Sequence, residues 1–161
     1  MTIKTGDRMP AGKLAIMGPE GPGSIGTDEL FGGKKVVLFA VPGAFTPTCS
    51  LKHLPGFGEQ AAAIKARGVD TVACMAVNDV FVMSAWGKAT VPDGSVLMLA
   101  DGNGEYTKAL GLELDASGFG MGTRSKRFSM IVDDGVVAEL NIEPAGQFGI
   151  SSAETILEQL G

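Results

Sequence analysis

Apolar residues fall along this chain in short runs, each closed by Gly, Pro or Asp. Val36-Val37-Leu38-Phe39-Ala40-Val41 is unbroken, β-branched and aromatic, the pattern of a strand buried on both faces. Val69 to Val77 reads as a second strand and Val96 to Ala100 as a short third. Between them the period changes. From about Cys49 to Arg67 the spacing is helical, with Gly68 as terminator and Pro55-Gly56 predicting a kink one to two turns in. Asp79 can cap a helix running through Phe81, Val82, Ala85 and Trp86, which Gly87 or Pro92 would end. A short helix is expected from Gly104 to Leu110, then a Gly-rich loop from Ser117 to Gly122. Arg127 to Val132 and Val136 to Ile142 flank Asp133-Asp134-Gly135, a hairpin signal. Ser151 or Ser152 with Glu154 opens a last helix ending near Leu160, and the first 30 residues read as an extended arm or a short hairpin.

Parallel crossovers followed by an antiparallel hairpin and a closing helix describe an α/β chain with a thioredoxin-like fold, a central mixed β-sheet flanked by helices. No linker, repeat or low-complexity tract interrupts residues 1–161, so one domain is expected. A 45% hydrophobic and 19% charged composition suits a packed core, and 24 glycines point to many tight turns. The net charge of −5, with Arg124-Ser125-Lys126-Arg127 as the densest basic stretch, argues against nucleic acid or an anionic membrane as partner. No apolar run approaches the ~18 residues of a membrane span and the N-terminus is polar, so the expected location is the cytoplasm. Cys49 and Cys74 stand without a CxxC and with a single histidine. That count excludes a disulfide framework and a zinc site, and no metal or organic cofactor is expected.

The remaining chemistry concentrates at Pro42-Gly43-Ala44-Phe45-Thr46-Pro47-Thr48-Cys49-Ser50, directly after the first buried strand. A thiol delivered to the first turn of a helix meets unpaired amide N–H groups and the positive end of the helix dipole, which favour the reactive thiolate. Thr46 adds a hydroxyl that both accepts and donates, while Pro42 and Pro47 restrict the loop. The segment lacks a cation. Arg124 and Arg127, just before or at the start of a strand able to lie beside Val36–Val41, are both candidates. The competing reading is an inert, partly buried cysteine.

Pro42-x-x-x-Thr46-x-x-Cys49 resembles the active-site signature of the peroxiredoxins, and the fuller string is similar to their type II (peroxiredoxin-five-like) subfamily. So are His53-Leu54-Pro55-Gly56-Phe57, Val77-Asn78-Asp79 and Lys126-Arg127-Phe128-Ser129-Met130, and the likeness spans nearly the whole chain. The resemblance implies a thiol peroxidase in which Cys49 attacks peroxide and becomes a sulfenic acid. By the same resemblance Thr46 holds peroxide and thiolate, Pro42 shields the pocket, and the active-site arginine falls at Arg127, leaving Arg124 a supporting or surface role. It also suggests a homodimer built around the active-site loops. Some relatives carry a resolving cysteine before the last helix, but residues 141–152 hold none. Cys74 would share a strand face with Val72 and Ala76, where burial is the default over a resolving role. A single-cysteine cycle is expected, recycled by glutathione with glutaredoxin or by thioredoxin.

Other signals are weaker. Gly21-Pro22-Gly23-Ser24-Ile25-Gly26 fits G-x-G-x-x-G but has no carboxylate at the end of the next strand, so it reads as a turn-rich loop. His53, four residues after Cys49, is expected to support the site or line its rim rather than act as general base. Trp86, Phe81, Met83 and Met98 read as core or interface. Phe45, Phe119 and Met121, with Gly43 and Thr48 of the loop, are candidate substrate contacts, an apolar rim that would admit alkyl hydroperoxides beside hydrogen peroxide. Asp101-Gly102-Asn103-Gly104-Glu105 falls short of a calcium loop and reads as a turn before a helix. A redox-regulated binding or chaperone-like protein, with Cys49 as a peroxide sensor, is the alternative; a thiol–disulfide oxidoreductase is disfavoured without CxxC.

Overall fold

The computed structural model describes residues 1–161. The Gly- and Pro-rich start of the chain pairs as a hairpin, β1 (Lys13–Gly18) with β2 (Gly21–Gly26), followed by a short helix α1 (Thr27–Phe31) that the sequence pattern did not predict. The apolar runs become β3 (Lys35–Ala40), β4 (Thr71–Ala76) and β5 (Leu97–Ala100). Between these strands lie α2 (Leu54–Ala66), entered through a π-helical turn at Cys49–His53, and α3 (Val80–Thr90). Then come α4 (Glu105–Leu110), a small ribbon of β6 (Glu113–Asp115) and β7 (Thr123–Ser125), the hairpin β8 (Phe128–Asp133) and β9 (Val136–Ile142), and α5 (Ala153–Leu160).

Seven strands form one sheet in the order β2-β1-β5-β4-β3-β8-β9. The three apolar strands are parallel to one another at its centre, with β8 antiparallel on β3 and β1 antiparallel on β5. Alternation along the central strands divides the core in two. Val37, Phe39 and Val41 face the same side as Val72, Cys74 and Ala76, where they meet Leu54, Phe57 and Ile64 of α2, Trp86 of α3 and Ile156 of α5. Val36, Leu38 and Ala40 face the other side with Ala73 and Met75, against Phe31 of α1 and Leu110 of α4. This central mixed sheet, flanked by helices on both faces, is the thioredoxin-like architecture. No helix is long and apolar enough to cross a membrane.

Several local expectations change. Asp79 does cap α3, accepting from the Val82 N–H at 2.9 Å, but Gly87 lies inside that helix instead of ending it. Its missing side chain serves packing, because a Cβ there would stand 2.6 Å from Met98 Cγ. Pro55-Gly56 does not break the helix either. The irregularity precedes it, where the Leu54 N–H reaches back five residues to the Cys49 carbonyl, and Pro55 then sits in the first turn of α2, where no N–H is needed. The loop at Ser117 to Gly122 contains one 3₁₀ turn, Ser117–Phe119, and joins the two strands of the ribbon. Ser152, not Ser151, caps α5. The residues matching G-x-G-x-x-G are the edge strand β2, not a strand-to-helix turn. Asp101 accepts from the Tyr106 and Thr107 N–H groups and the Thr107 hydroxyl, and so caps the short α4.

Candidate active site

The Val41 N–H still donates to Met75 O at 3.1 Å, but Pro42 has no N–H to continue the sheet and the chain leaves it there. Asn78, at the end of the neighbouring parallel strand, holds the departing loop by accepting from the Ala44 N–H at 2.9 Å. Phe45 takes a left-handed φ of 64°, and the Thr46 hydroxyl donates to Gly43 O at 2.7 Å, which leaves its lone pairs free to accept. Gly43 sits in a crowded place: a Cβ would lie 3.2 Å from Thr46 Cγ2 and 3.3 Å from both Arg124 Nη1 and Met121 Cε. Helical backbone begins at Pro47, so Cys49 occupies the first turn, where amides lack partners inside the helix. The cysteine is fully buried.

The cation arrives across the sheet. Antiparallel pairing of β3 with β8 sets Ala40 opposite Phe128, which places Arg127 beside the point where the loop departs. Arg127 Nη2 donates to Cys49 Sγ at 3.1 Å, and Nη1 donates to His53 Nδ1 at 2.9 Å. His53 Nε2 lies 2.9 Å from Ser151 O. A carbonyl oxygen only accepts, so Nε2 carries the ring proton and Nδ1 presents its lone pair to the guanidinium. Burial, reinforced by the adjacent Arg127 charge, pushes the His53 pKa down to about 3, which keeps the ring neutral. His53 is therefore not at a rim. It lies in the core against Phe39, Phe57 and Phe148, with ring centroids 5.0, 5.6 and 4.9 Å away, and both nitrogens are engaged, which leaves no basic site for proton abstraction.

A second layer holds this pair. Glu143 Oε2 accepts from the Gly149 N–H, the Ser151 N–H and the Ser151 hydroxyl at 2.7, 2.8 and 2.7 Å, fixing the turn whose carbonyl sets the His53 tautomer. Burial alone would raise the Glu143 carboxyl, but these hydrogen bonds, with the neighbouring His53, leave its pKa below the ordinary value. Phe148 lies beneath Arg127, its ring centroid 5.9 Å from Cζ, a cation–π contact. On the cysteine side, the Trp86 indole N–H donates to Ser50 Oγ at 3.0 Å and pins the first helical turn to α3. Asn78, Trp86 with Ser50, Glu143, Phe148 and Ser151 act together here, and sequence reasoning assigned none of them to the site. The available signals were slight: an acid closing an apolar strand, and an Asn-Asp pair after one.

Arg124 takes a different place. Its Nε donates to Met121 O at 2.9 Å and its Nη1 to Val77 O at 3.2 Å, which ties the ribbon to the end of β4 and braces the loop at Gly43 without touching the sulfur. Pro42 and Thr48 line a cavity of about 320 Å³ that opens against Arg127. Phe45 and Phe119 are 57% and 86% exposed and line no part of that cavity, while Met121 reaches in beside Gly43. Cys74 is buried on β4, paired in register with Phe39, and both cysteines are free thiols. Burial pushes its thiol well above the ordinary value, and the nearby Cys49 adds to the rise while Arg127 opposes it. The chain brings together no group of three His, Cys, Asp or Glu side chains that would hold a metal.

The sequence matches the Redoxin family over residues 4–157. The chain belongs to that family, as a type II peroxiredoxin. It is 52% identical to the chloroplastic peroxiredoxin-2E-2 of rice over 165 residues, covering 99% of this chain and 73% of the relative. It is also 48% identical to peroxiredoxin-2B of Arabidopsis thaliana, covering 98% of each. Among solved structures, reduced Prx3 of Vibrio vulnificus in complex with H2O2 superposes with a TM-score of 0.95 at 53% identity, over 99% of this chain and 100% of that one. This peroxiredoxin is a thiol-dependent peroxidase, and the sensor or chaperone-like reading of Cys49 is not favoured.

Proposed function

We propose that this peroxiredoxin reduces hydrogen peroxide and alkyl hydroperoxides through Cys49, in a cycle that uses no second cysteine of the chain. The observation that carries the assignment is the guanidinium of Arg127, held to the sulfur at 3.1 Å by one nitrogen and to a neutral His53 by another. The Cys49 thiolate attacks the terminal peroxide oxygen, the O–O bond breaks, and the alkoxide or hydroxide leaves to take up a proton. Sulfur is oxidised to sulfenic acid as the peroxide is reduced to alcohol or water. Charge moves from sulfur to the departing oxygen, and Arg127 stays positive throughout, its planar donors able to follow that charge without reorganising. Thr46 can accept from the peroxide O–H, and Pro42 keeps water from the apolar side of the loop.

An external thiol then attacks the sulfenic sulfur, releasing water and leaving a mixed disulfide. A second thiol resolves it, so two reducing thiols end as one disulfide. Burial of Cys74 and the lack of cysteine in residues 141–152 support this cycle, with glutathione and glutaredoxin, or thioredoxin, as reductant. Because Cys49 is buried, a bulky reductant reaches it only after a local opening of the structure around it. We also propose a homodimer, since Phe45, Leu51, Phe81, Phe119 and Ile150 are large apolar side chains exposed on one chain. Sedimentation as a monomer at micromolar concentration would refute that. For the cycle, peroxide turnover with glutathione and glutaredoxin, or with thioredoxin, is compared in the wild type, Cys49→Ser and Cys74→Ser. Cys49→Ser should be inactive and Cys74→Ser active; a Cys49–Cys74 disulfide detected by mass spectrometry after one equivalent of peroxide would overturn the single-cysteine cycle.

A further inference from the structure

The cavity beside Arg127 is larger than hydrogen peroxide requires. Its volume of about 320 Å³ is roughly ten times the share of one liquid water. Its lining brings together Pro42 and Thr48 of the loop, Arg127 with its chain neighbour Lys126, and Glu143 and Gln147. Lys126 is half-buried and forms no ion pair, the single ion pair of the chain being Lys4–Asp7 on the opposite end of the sequence. Its backbone is fixed, its N–H donating to Leu112 O at 2.8 Å and its carbonyl accepting from Ser125 Oγ at 2.7 Å. Glu143, the one acid in the lining, already has three donors on Oε2. Two cations against one hydrogen-bonded carboxylate leave the cavity net positive, in a protein whose overall charge is −5.

We infer that this cavity is a subsite for a carboxylate carried by one of the reactants, with Lys126 as its specificity-determining residue. The inference rests on the peroxidase reading of Cys49. Arg127 serves the reacting oxygen and sulfur, and Lys126 pairs with an anionic group held farther along the same cavity. The carboxylate can belong to the hydroperoxide or to the thiol that attacks the sulfenic acid, and the same subsite chemistry serves both.

The test uses pairs that differ only in that charge. In the first arm, para-carboxylated cumene hydroperoxide is compared with its methyl ester; in the second, 3-mercaptopropionate with its methyl ester as reductant of the sulfenic acid. The readout is the acid-to-ester ratio of kcat/KM in the wild type, Lys126→Gln and Lys126→Glu. A part-exposed charge pair predicts a ratio lowered about fivefold in Lys126→Gln and further in Lys126→Glu, with the wild-type ratio shrinking as salt rises. A fall confined to the first arm assigns the subsite to the peroxide, and a fall confined to the second assigns it to the reductant. Equal ratios in all three proteins in both arms would overturn the subsite. Absence of hydrogen peroxide turnover in the wild type with any thiol would instead overturn the peroxidase reading beneath it.

Discussion

His53 is the only histidine of the chain, which makes its protonation directly measurable. Its ring is fully buried, its Nδ1 is filled by a guanidinium N–H, and its pKa falls from 6.5 to about 3. The folded protein therefore keeps the ring neutral between these values, while the unfolded chain protonates it below 6.5. The unfolded state binds the extra proton, so stability is fully present above pH 6.5 and is lost as pH falls toward 3. One proton corresponds to about 1.4 kcal/mol per pH unit, and the whole window to about 5 kcal/mol. Urea unfolding at pH 7, 6, 5 and 4 reads the slope. His53→Gln, whose amide can still donate to Ser151 O and accept from Arg127, should abolish that part of the dependence between pH 6.5 and 5.5, above the titration of the unfolded carboxyl groups. Proton NMR of the imidazole should show no titration of the folded protein down to pH 4. An ordinary imidazole midpoint near 6.5, or an identical slope in His53→Gln, would refute the account of a neutral histidine holding Arg127.

Three further perturbations follow from the same contacts. Arg127→Lys keeps the charge but cannot serve His53 Nδ1 and Cys49 Sγ together, so the second-order rate of Cys49 oxidation by peroxide should fall about 10²-fold, the scale of losing one directed donor; a change below threefold in stopped-flow measurements would contradict this. Glu143→Gln halves the acceptor capacity facing three donors and should cost about 1–3 kcal/mol in urea unfolding, with a parallel loss of peroxide reactivity because the Ser151 turn sets the His53 tautomer. Gly87→Ala drives a Cβ to 2.6 Å from Met98 Cγ and should destabilise by about 1–3 kcal/mol, with most of the loss recovered in a Gly87→Ala/Met98→Ala double variant, as a thermodynamic cycle would show.

Much of this molecule was legible in its residues. Val36–Val41, Val69–Val77 and Val96–Ala100 announced the three parallel strands, because strands buried on both faces admit few polar residues. Asp134-Gly135 marked the hairpin of β8 and β9, since that turn needs a positive φ at both positions, 48° and 80° here. Helix α1 and the ribbon of β6 and β7 escaped notice. They are five- and three-residue elements, too short for a period to show, and tertiary contacts and strand pairing hold them in place. Gly87 misled because its local propensity says terminator while its role is the approach of α3 to Met98 on β5.

The sequence by itself determined the fold class and placed a cysteine at the end of a buried strand, in the first turn of a helix, since alternation, Pro and Gly act over a few residues. The partners of that cysteine were another matter. By local chemistry Arg124 and Arg127 were equal candidates. Only the antiparallel register of β8 on β3, Ala40 opposite Phe128, brings the second to the sulfur across 78 residues of chain and sends the first to Met121 and Val77. The neutral His53, the Glu143 clasp and the Lys126-lined cavity depend likewise on contacts between distant segments. Strand register and packing set those contacts, and neither is a property of any single stretch of residues.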